Sequence, residues 1–317
     1  MRRLGRAVRG VSAPRLGKRP IARPAHTTWI VLRCTGGVAK PKETIGFVLG
    51  GGGILGAHEV GMLRALLEAG IGPDLVVGTS VGAVNGAAIA FDPTAAGVER
   101  LVDVWKAIEE TEIFGGSLLG RLGNLARTRT SLHSDAALRD VLTGAFGTPQ
   151  IEDLDVPFQC VGASIENARE HWFTTGSLID AVLASCAVPG LVPPAVVDGE
   201  HFYDGGIVNS IPVGRAAELG ATVAYVLHVG RIERALTPPR WPWEAGLVAF
   251  EIARRHRFAS DLDRLSTEIE VHVLPTGAAV GQKAPDLREL RYRNFARVPG
   301  SIESAYNASR DYLAAQG

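Results

Sequence analysis

The pentapeptide Gly78-Thr79-Ser80-Val81-Gly82 constrains this chain more than any other stretch. The apolar run Leu75-Val76-Val77 before it reads as a short buried parallel strand, and the alanine-rich stretch after it as a helix. A serine at a strand-to-helix turn, with glycines two residues to either side, is a nucleophile elbow. Such a turn is tight and strained, and it projects the hydroxyl free of the sheet beside a helix N-terminus. Ser80 is therefore the candidate nucleophile. The competing reading of the same residue is a plain helix N-cap.

A second glycine cluster precedes the elbow. Thr44 to Leu49 reads as a strand, Gly50 to Gly53 strip the backbone of side chains, and a helix with Val60, Leu63 and Leu67 on one face follows and stops at Gly70. Gly51 to Gly56 fits G-x-G-x-x-G, which serves either of two chemistries. A dinucleotide site requires an acidic residue closing the second strand, but Asp74 opens that strand and Gly78-Thr79-Ser80 closes it. The alternative is an oxyanion hole, in which the N–H groups of Gly51, Gly52 and Gly53 face a developing negative charge. Two parallel strands joined by one crossover bring this loop and Ser80 to the same sheet edge, which favours the second use.

Composition sets the frame. The 317 residues are 46% hydrophobic, enough for one α/β domain over residues 43–317, and show no internal repeat. The formal net charge of zero conceals an asymmetry: residues 1–42 hold 11 Lys or Arg and no acid, leaving 22 basic against 33 acidic residues in the body. An acidic body does not suggest nucleic acid as a partner. The Arg-rich, proline-bearing segment 1–42 is expected to be a disordered basic tail or an over-extended gene start, ahead of a transit peptide. Cys34, Cys160 and Cys186 are odd in number and widely spaced, which points to a reducing compartment and to no metal site. No run approaches the ~20 apolar residues of a membrane span. The expected location is cytoplasmic, with peripheral membrane contact as an extension of it.

Further along, residues 95–109 read as a surface helix with Val98, Leu101, Val102 and Trp105 on one side. Thr111 to Ser134 mixes glycines, leucines and arginines and reads first as a mobile loop, second as a lid or membrane-touching segment. Strands are expected at Pro157 to Ser164, Arg169 to Thr174, Ala195 to Val197 with His201 to Tyr203 as hairpin partner, Thr222 to Val229 and Ile269 to Leu274. Helices are expected at Ala136 to Leu142, Leu178 to Cys186, Pro212 to Leu219, Trp241 to Phe258 and Ile302 to Leu313. In the fourth of these, Leu247 and Phe250 are expected in the core, and Arg254-Arg255-His256-Arg257 at the helix end complements the dipole.

A serine nucleophile needs a base. The histidines after Ser80 are His133, His171, His201, His228, His256 and His272, and none sits in a recognisable motif. Asp204 follows a strand and precedes Gly205-Gly206, which allow a sharp turn and close backbone approach. In combination with the glycine loop and the elbow, Asp204 is the stronger candidate.

Gly51 to Gly56, Gly78 to Gly82 and Asp204-Gly205-Gly206 together resemble the three signature blocks of the patatin-like phospholipases, and Ala184 to Pro194 is similar to the segment just before the third block. The resemblance runs from about Thr44 to Leu227. It implies a three-layer α/β/α fold with a mainly parallel central sheet, and a Ser80-Asp204 catalytic dyad without histidine, metal or other cofactor. It also implies an oxyanion hole at Gly51 to Gly53, with Gly56, Gly78, Gly82, Gly205 and Gly206 as supporting motif positions. The implied activity is that of a carboxylic ester hydrolase acting on lipid acyl esters, as a phospholipase A or lysophospholipase does, through an acyl-serine. One position departs from the family: Leu55 stands where it usually has Arg or Lys. Three rivals stay open at this point: an acyltransferase using the same dyad, a triad esterase using a later histidine, and a catalytically weak lipid-binding protein, which Leu55 favours.

Overall fold

The computed structural model describes residues 43–111, 133–229, 235–277 and 298–316. The basic tail and nearly all of the glycine- and leucine-rich 111–134 stretch lie outside the described residues. Among them the strands are β1 (Ile45–Leu49), β2 (Leu75–Thr79), β3 (Phe158–Ser164), β4 (Arg169–Phe173), β5 (Ala195–Val197), β6 (Glu200–Asp204), β7 (Val223–Leu227) and β8 (Glu270–Val273). They form one sheet in the order β5-β6-β3-β2-β1-β7-β8, with β4 also paired to β3. The pairs β3-β2, β2-β1, β1-β7 and β7-β8 are parallel, while β4, β5 and β6 join antiparallel.

The central strands are apolar at successive positions because both faces are covered. Phe47 and Leu49 of β1 and Val76 of β2 point into one layer. Val48, Leu75 and Val77 point into the other. The first layer is the larger, with α1 (Ala57–Glu68), α2 (Val81–Phe91), α3 (Ala95–Glu110), α4 (Ala136–Phe146), α5 (Leu178–Ser185) and α8 (Val298–Ala314). The second holds α6 (Val213–Glu218) and α7 (Pro242–Leu265). The fold is therefore three-layer α/β/α on a mainly parallel sheet.

Two expectations about α7 are corrected. The helix runs on to Leu265, so Arg254 to Arg257 lie inside it rather than at its end. No glycine or proline stops it there, and ion pairs three and four residues apart carry it forward: Glu251 with Arg254 at 2.7 Å, and Arg257 with Asp261 at 3.0 Å. Phe250, expected in the core, is 39% exposed. It shares the sheet-facing stripe of buried Arg254, Phe258, Asp261 and Leu265, but that part of the helix overhangs the turn after β6. A Cβ on Gly206 would sit 3.5 Å from the Phe250 ring.

Helix α8 docks on α1 through a close backbone approach. A Cβ at Gly61 would lie 2.0 Å from the Ile302 carbonyl oxygen and 2.7 Å from the Tyr306 nitrogen. Both are backbone atoms of a helix and cannot swing aside. Gly61→Ala is thus expected to push α8 off α1 and to destabilise the fold by about 1–3 kcal/mol, read as an earlier midpoint in denaturant unfolding. An unchanged midpoint would show that this contact is looser than the structure gives it.

Candidate active site

The site is assembled by the length of β3. Residues 160 and 161 pair both β2 and β4, so those strands lie on opposite edges of β3. Residues 162 to 164 pair both β4 and β6, so β6 takes the edge that β2 has just left. Thr79 is opposite Val161 and Asp204 is opposite Gly162. One register step therefore separates the end of the elbow strand from the start of the Asp-Gly-Gly turn, although Ser80 and Asp204 are 124 positions apart in the chain.

Ser80 occupies φ 55°, ψ −126°, a left-handed conformation that side chains rarely adopt and that costs of order 1–3 kcal/mol. Its surroundings hold it there. The Ser80 N–H donates to Ser185 Oγ at 2.8 Å, and its carbonyl accepts from Ala83 N at 2.7 Å. The flanking glycines are required by space. A Cβ at Gly82 would lie 2.4 Å from the Leu49 carbonyl oxygen, and one at Gly78 would lie 2.5 Å from that of Gly82. The plain N-cap reading is overturned: the side chain makes no capping bond to α2. Instead Ser80 Oγ donates to Asp204 Oδ2 at 2.6 Å.

Asp204 is held on every side. Its N–H donates to the Ala187 carbonyl at 2.9 Å, and its Oδ1 accepts from Gly206 N at 2.7 Å. Ser80 is 6% exposed and Asp204 7%. Burial pushes the Asp204 carboxyl up to about 6, against the opposing hydrogen bonds from Ser80 and Gly206. That places the group much nearer an imidazole than an ordinary carboxylate. The segment Ala184 to Pro194 thus grips both members of the pair, one through Ser185 and one through Ala187. Ser185 was legible as part of that segment, but its task was not.

The glycine loop lies over Ser80: a Cβ on Gly51 would be 3.5 Å from Ser80 Cβ. Its donors divide. Gly50 N–H goes to the Leu227 carbonyl and Gly51 N–H to the Ser210 carbonyl, each at 2.9 Å. Gly51 therefore cannot serve as the expected oxyanion donor, because the fold has already used its N–H. The N–H groups of Gly52 and Gly53 precede the short 3-10 turn Gly53–Gly56 and have no partner among the described residues. Asp74, the residue a dinucleotide site would need, is at the far end of β2, where its Oδ2 accepts from Ile45 N at 2.7 Å. Leu55 falls inside the 3-10 turn, and its carbonyl is 2.8 Å from His58 Nδ1.

None of the six later histidines hydrogen-bonds to Ser80 or Asp204 among the described residues. His201 Nδ1 faces Glu166 at 2.6 Å, and His171 packs on Phe173 and Phe202. His272 stacks on Tyr225 and meets the Tyr312 hydroxyl at 3.0 Å. His228 is buried beside Phe258, His133 is fixed through its N–H to the Leu191 carbonyl, and His256 lies on the exposed side of α7. Cys186 adjoins the site, but burial first and the Asp204 charge second push its thiol well above the usual range, so it is no thiolate nucleophile. Among the described residues no group of three His, Cys, Asp or Glu side chains is arranged to hold a metal ion, and no helix is long and apolar enough to cross a membrane.

The family model described as patatin-like phospholipase matches residues 47–217, more than half of this chain's length. The chain is 34% identical over 200 residues to lysophospholipase NTE1 of Phaeosphaeria nodorum, a match covering 60% of this chain and 12% of that protein. It is also 34% identical over 198 residues to patatin-like phospholipase domain-containing protein 7 of Rattus norvegicus, covering 62% of this chain and 14% of that one. The crystal structure of VipD from Legionella pneumophila superposes with a TM-score of 0.43 at 15% identity, covering 87% of this chain and 67% of that chain. The chain spans only 12% to 14% of the length of these two curated relatives. With a family match running from the first strand, through the elbow and the Asp-Gly-Gly turn, to α6, the chain belongs to the patatin-like phospholipase family.

Proposed function

We propose that the protein hydrolyses lipid acyl esters, of the glycerophospholipid or lysophospholipid kind, with Ser80 as nucleophile and Asp204 as base. The observation that carries the reading is the buried 2.6 Å Ser80 Oγ to Asp204 Oδ2 hydrogen bond, beside a glycine loop whose Gly52 and Gly53 N–H groups have no partner among the described residues. The names of the relatives, lysophospholipase and patatin-like phospholipase, support the substrate class.

Ser80 Oγ attacks the acyl carbon while its proton passes to Asp204 Oδ2. The carbonyl oxygen becomes an oxyanion and is received by the Gly52 and Gly53 N–H groups, with the N-terminus of α2 nearby. Collapse of the tetrahedral intermediate breaks the ester C–O bond, and Asp204 returns the proton to the leaving alcohol. Water then attacks the acyl-Ser80 ester, giving up a proton to Asp204. The fatty acid departs, and the proton returns to Ser80 Oγ. Leu55 offers no positive charge to a phosphate at the loop, which is the feature that supports the weaker, lipid-binding reading.

A base held at about 6 makes a carboxylate fit for this work near neutral pH. It also removes a test that would otherwise separate dyad from triad, since a histidine base would titrate near 6.5 as well. Substitution must decide instead. Ser80→Ala and Asp204→Asn are each expected to lower kcat/KM on a soluble acyl ester by roughly three orders of magnitude or more, while Ala at any one of the six later histidines leaves a folded, active enzyme. A fluorophosphonate probe should label wild-type protein at Ser80. Labelling elsewhere, or one folded histidine variant as inactive as Asp204→Asn, would overturn the assignment.

The same carboxyl links activity to stability. Its folded-state pKa is raised from 3.8 to about 6, so its stabilising contribution is full below pH 4 and is lost as pH rises through 6. At pH 8 the buried charge costs about 3 kcal/mol. Asp204→Asn keeps the shape without the charge. It is expected to melt several degrees above wild type at pH 8 and to lose that advantage at pH 4. Equal melting temperatures at pH 8 would show that Asp204 is not destabilised by its burial.

A further inference from the structure

A fully buried carboxyl lies behind the glycine loop and takes no part in the steps above. Glu59, in the first turn of α1, is 0% exposed, as is Asn85 on α2, and Trp105 on α3 is 2% exposed. Asn85 Nδ2 donates to Glu59 Oε2 at 2.7 Å and to the Gly56 carbonyl at 3.0 Å. Trp105 Nε1 donates to Asn85 Oδ1 at 3.0 Å. The Asn85 carboxamide thus ties the Gly56 end of the loop and the Glu59 carboxyl of α1 to α2, whose N-terminus carries Ser80.

Burial pushes the Glu59 carboxyl well above the usual carboxylate range, against the hydrogen bond from Asn85. Oε2 accepts from Asn85, and Oε1 has no hydrogen-bond partner among the described residues. Such a cluster adds little net stability, since a buried hydrogen bond replaces one to water and apolar side chains of the same volume often do as well. Its distinctive property is direction. Two loop N–H groups are useful only if they point at the oxyanion above Ser80, and a displacement of about 1 Å in such a donor is costly to the rate.

We propose that Glu59 and Asn85 act as one positioning unit, fixing the Gly50–Gly56 loop against the nucleophile helix so that the free loop amides face the reacting carbonyl. This rests on the acyl-hydrolase reading of the site. Neither residue touches substrate. The unit acts on the transition state and leaves the ground-state complex alone, so its loss falls on kcat and not on KM.

The test uses the full chain with Glu59→Met, Asn85→Leu, the double variant and Glu59→Gln. Each is checked for native circular dichroism, then assayed on a p-nitrophenyl acyl ester and for the rate of fluorophosphonate labelling. Glu59→Met and Asn85→Leu are expected to fold, to lose roughly tenfold or more in kcat and labelling rate, and to keep KM within about twofold of wild type. The double variant should fall no further than the worse single, as members of one unit do. Glu59→Gln, neutral and of the same shape, should stay within about threefold of wild type. The proposal is overturned by wild-type kcat in the folded Met or Leu variants, by an effect borne on KM, by additive losses in the double variant, or by a Gln variant as slow as the Met variant. If Glu59→Met does not fold, Asn85→Leu decides alone; if neither folds, the cluster is a folding element and the proposal falls. Wild-type protein that neither turns over ester nor labels at Ser80 would instead defeat the hydrolase reading. Wild-type turnover with an undiminished Met variant defeats only this inference.

Discussion

Strand β3 outlasts β2, and the site depends on that difference. Where β2 stops at Thr79 the edge of β3 is left with unpaired N–H and C=O groups, which buried backbone does not leave unsatisfied. Strand β6 fills that vacated edge in the antiparallel sense, pairing from Gly162 onward. The elbow and the Asp-Gly-Gly turn are thereby set end to end on one ladder. The sheet register brings Ser80 and Asp204 to hydrogen-bond distance.

The arrangement is costly locally and supported from outside. A positive φ at Ser80 and a carboxyl buried at Asp204 each oppose folding. The compensating bonds come from three directions. Ser185 and Ala187 hold the backbone of the pair, Ser210 and Leu227 accept from the first two loop amides, and the Asn209 carbonyl accepts from Thr79 Oγ1 at 2.8 Å. Local conflict kept by wider agreement is the usual mark of a functional site.

The elements themselves were largely legible. Apolar runs between glycine turns located the parallel strands, and α1 stops where Gly70 takes φ 75°. Local rules failed where the deciding partner lay elsewhere. The basic run at Arg254 looked like a helix terminus, but Glu251 and Asp261 make it a helix interior. Phe250 has the periodicity of a core residue and lacks a sheet beneath it. Glu59 and Asn85 read as ordinary members of α1 and α2, since nothing in either segment says that they meet.

By itself the sequence determined the two sharp turns, the strand-loop-helix order and the identity of Ser80 and Asp204 as the candidate pair. Those follow from which side chains a backbone will admit at a tight turn or a close approach, and that is local chemistry. Only the tertiary structure decided which loop amides stay free among the described residues, that Gly51 is not among them, that Ser185 anchors Ser80 and that burial pushes the Asp204 carboxyl up to about 6. Hydrogen-bond supply and dehydration are properties of the assembled site, made by partners more than a hundred residues apart in the chain.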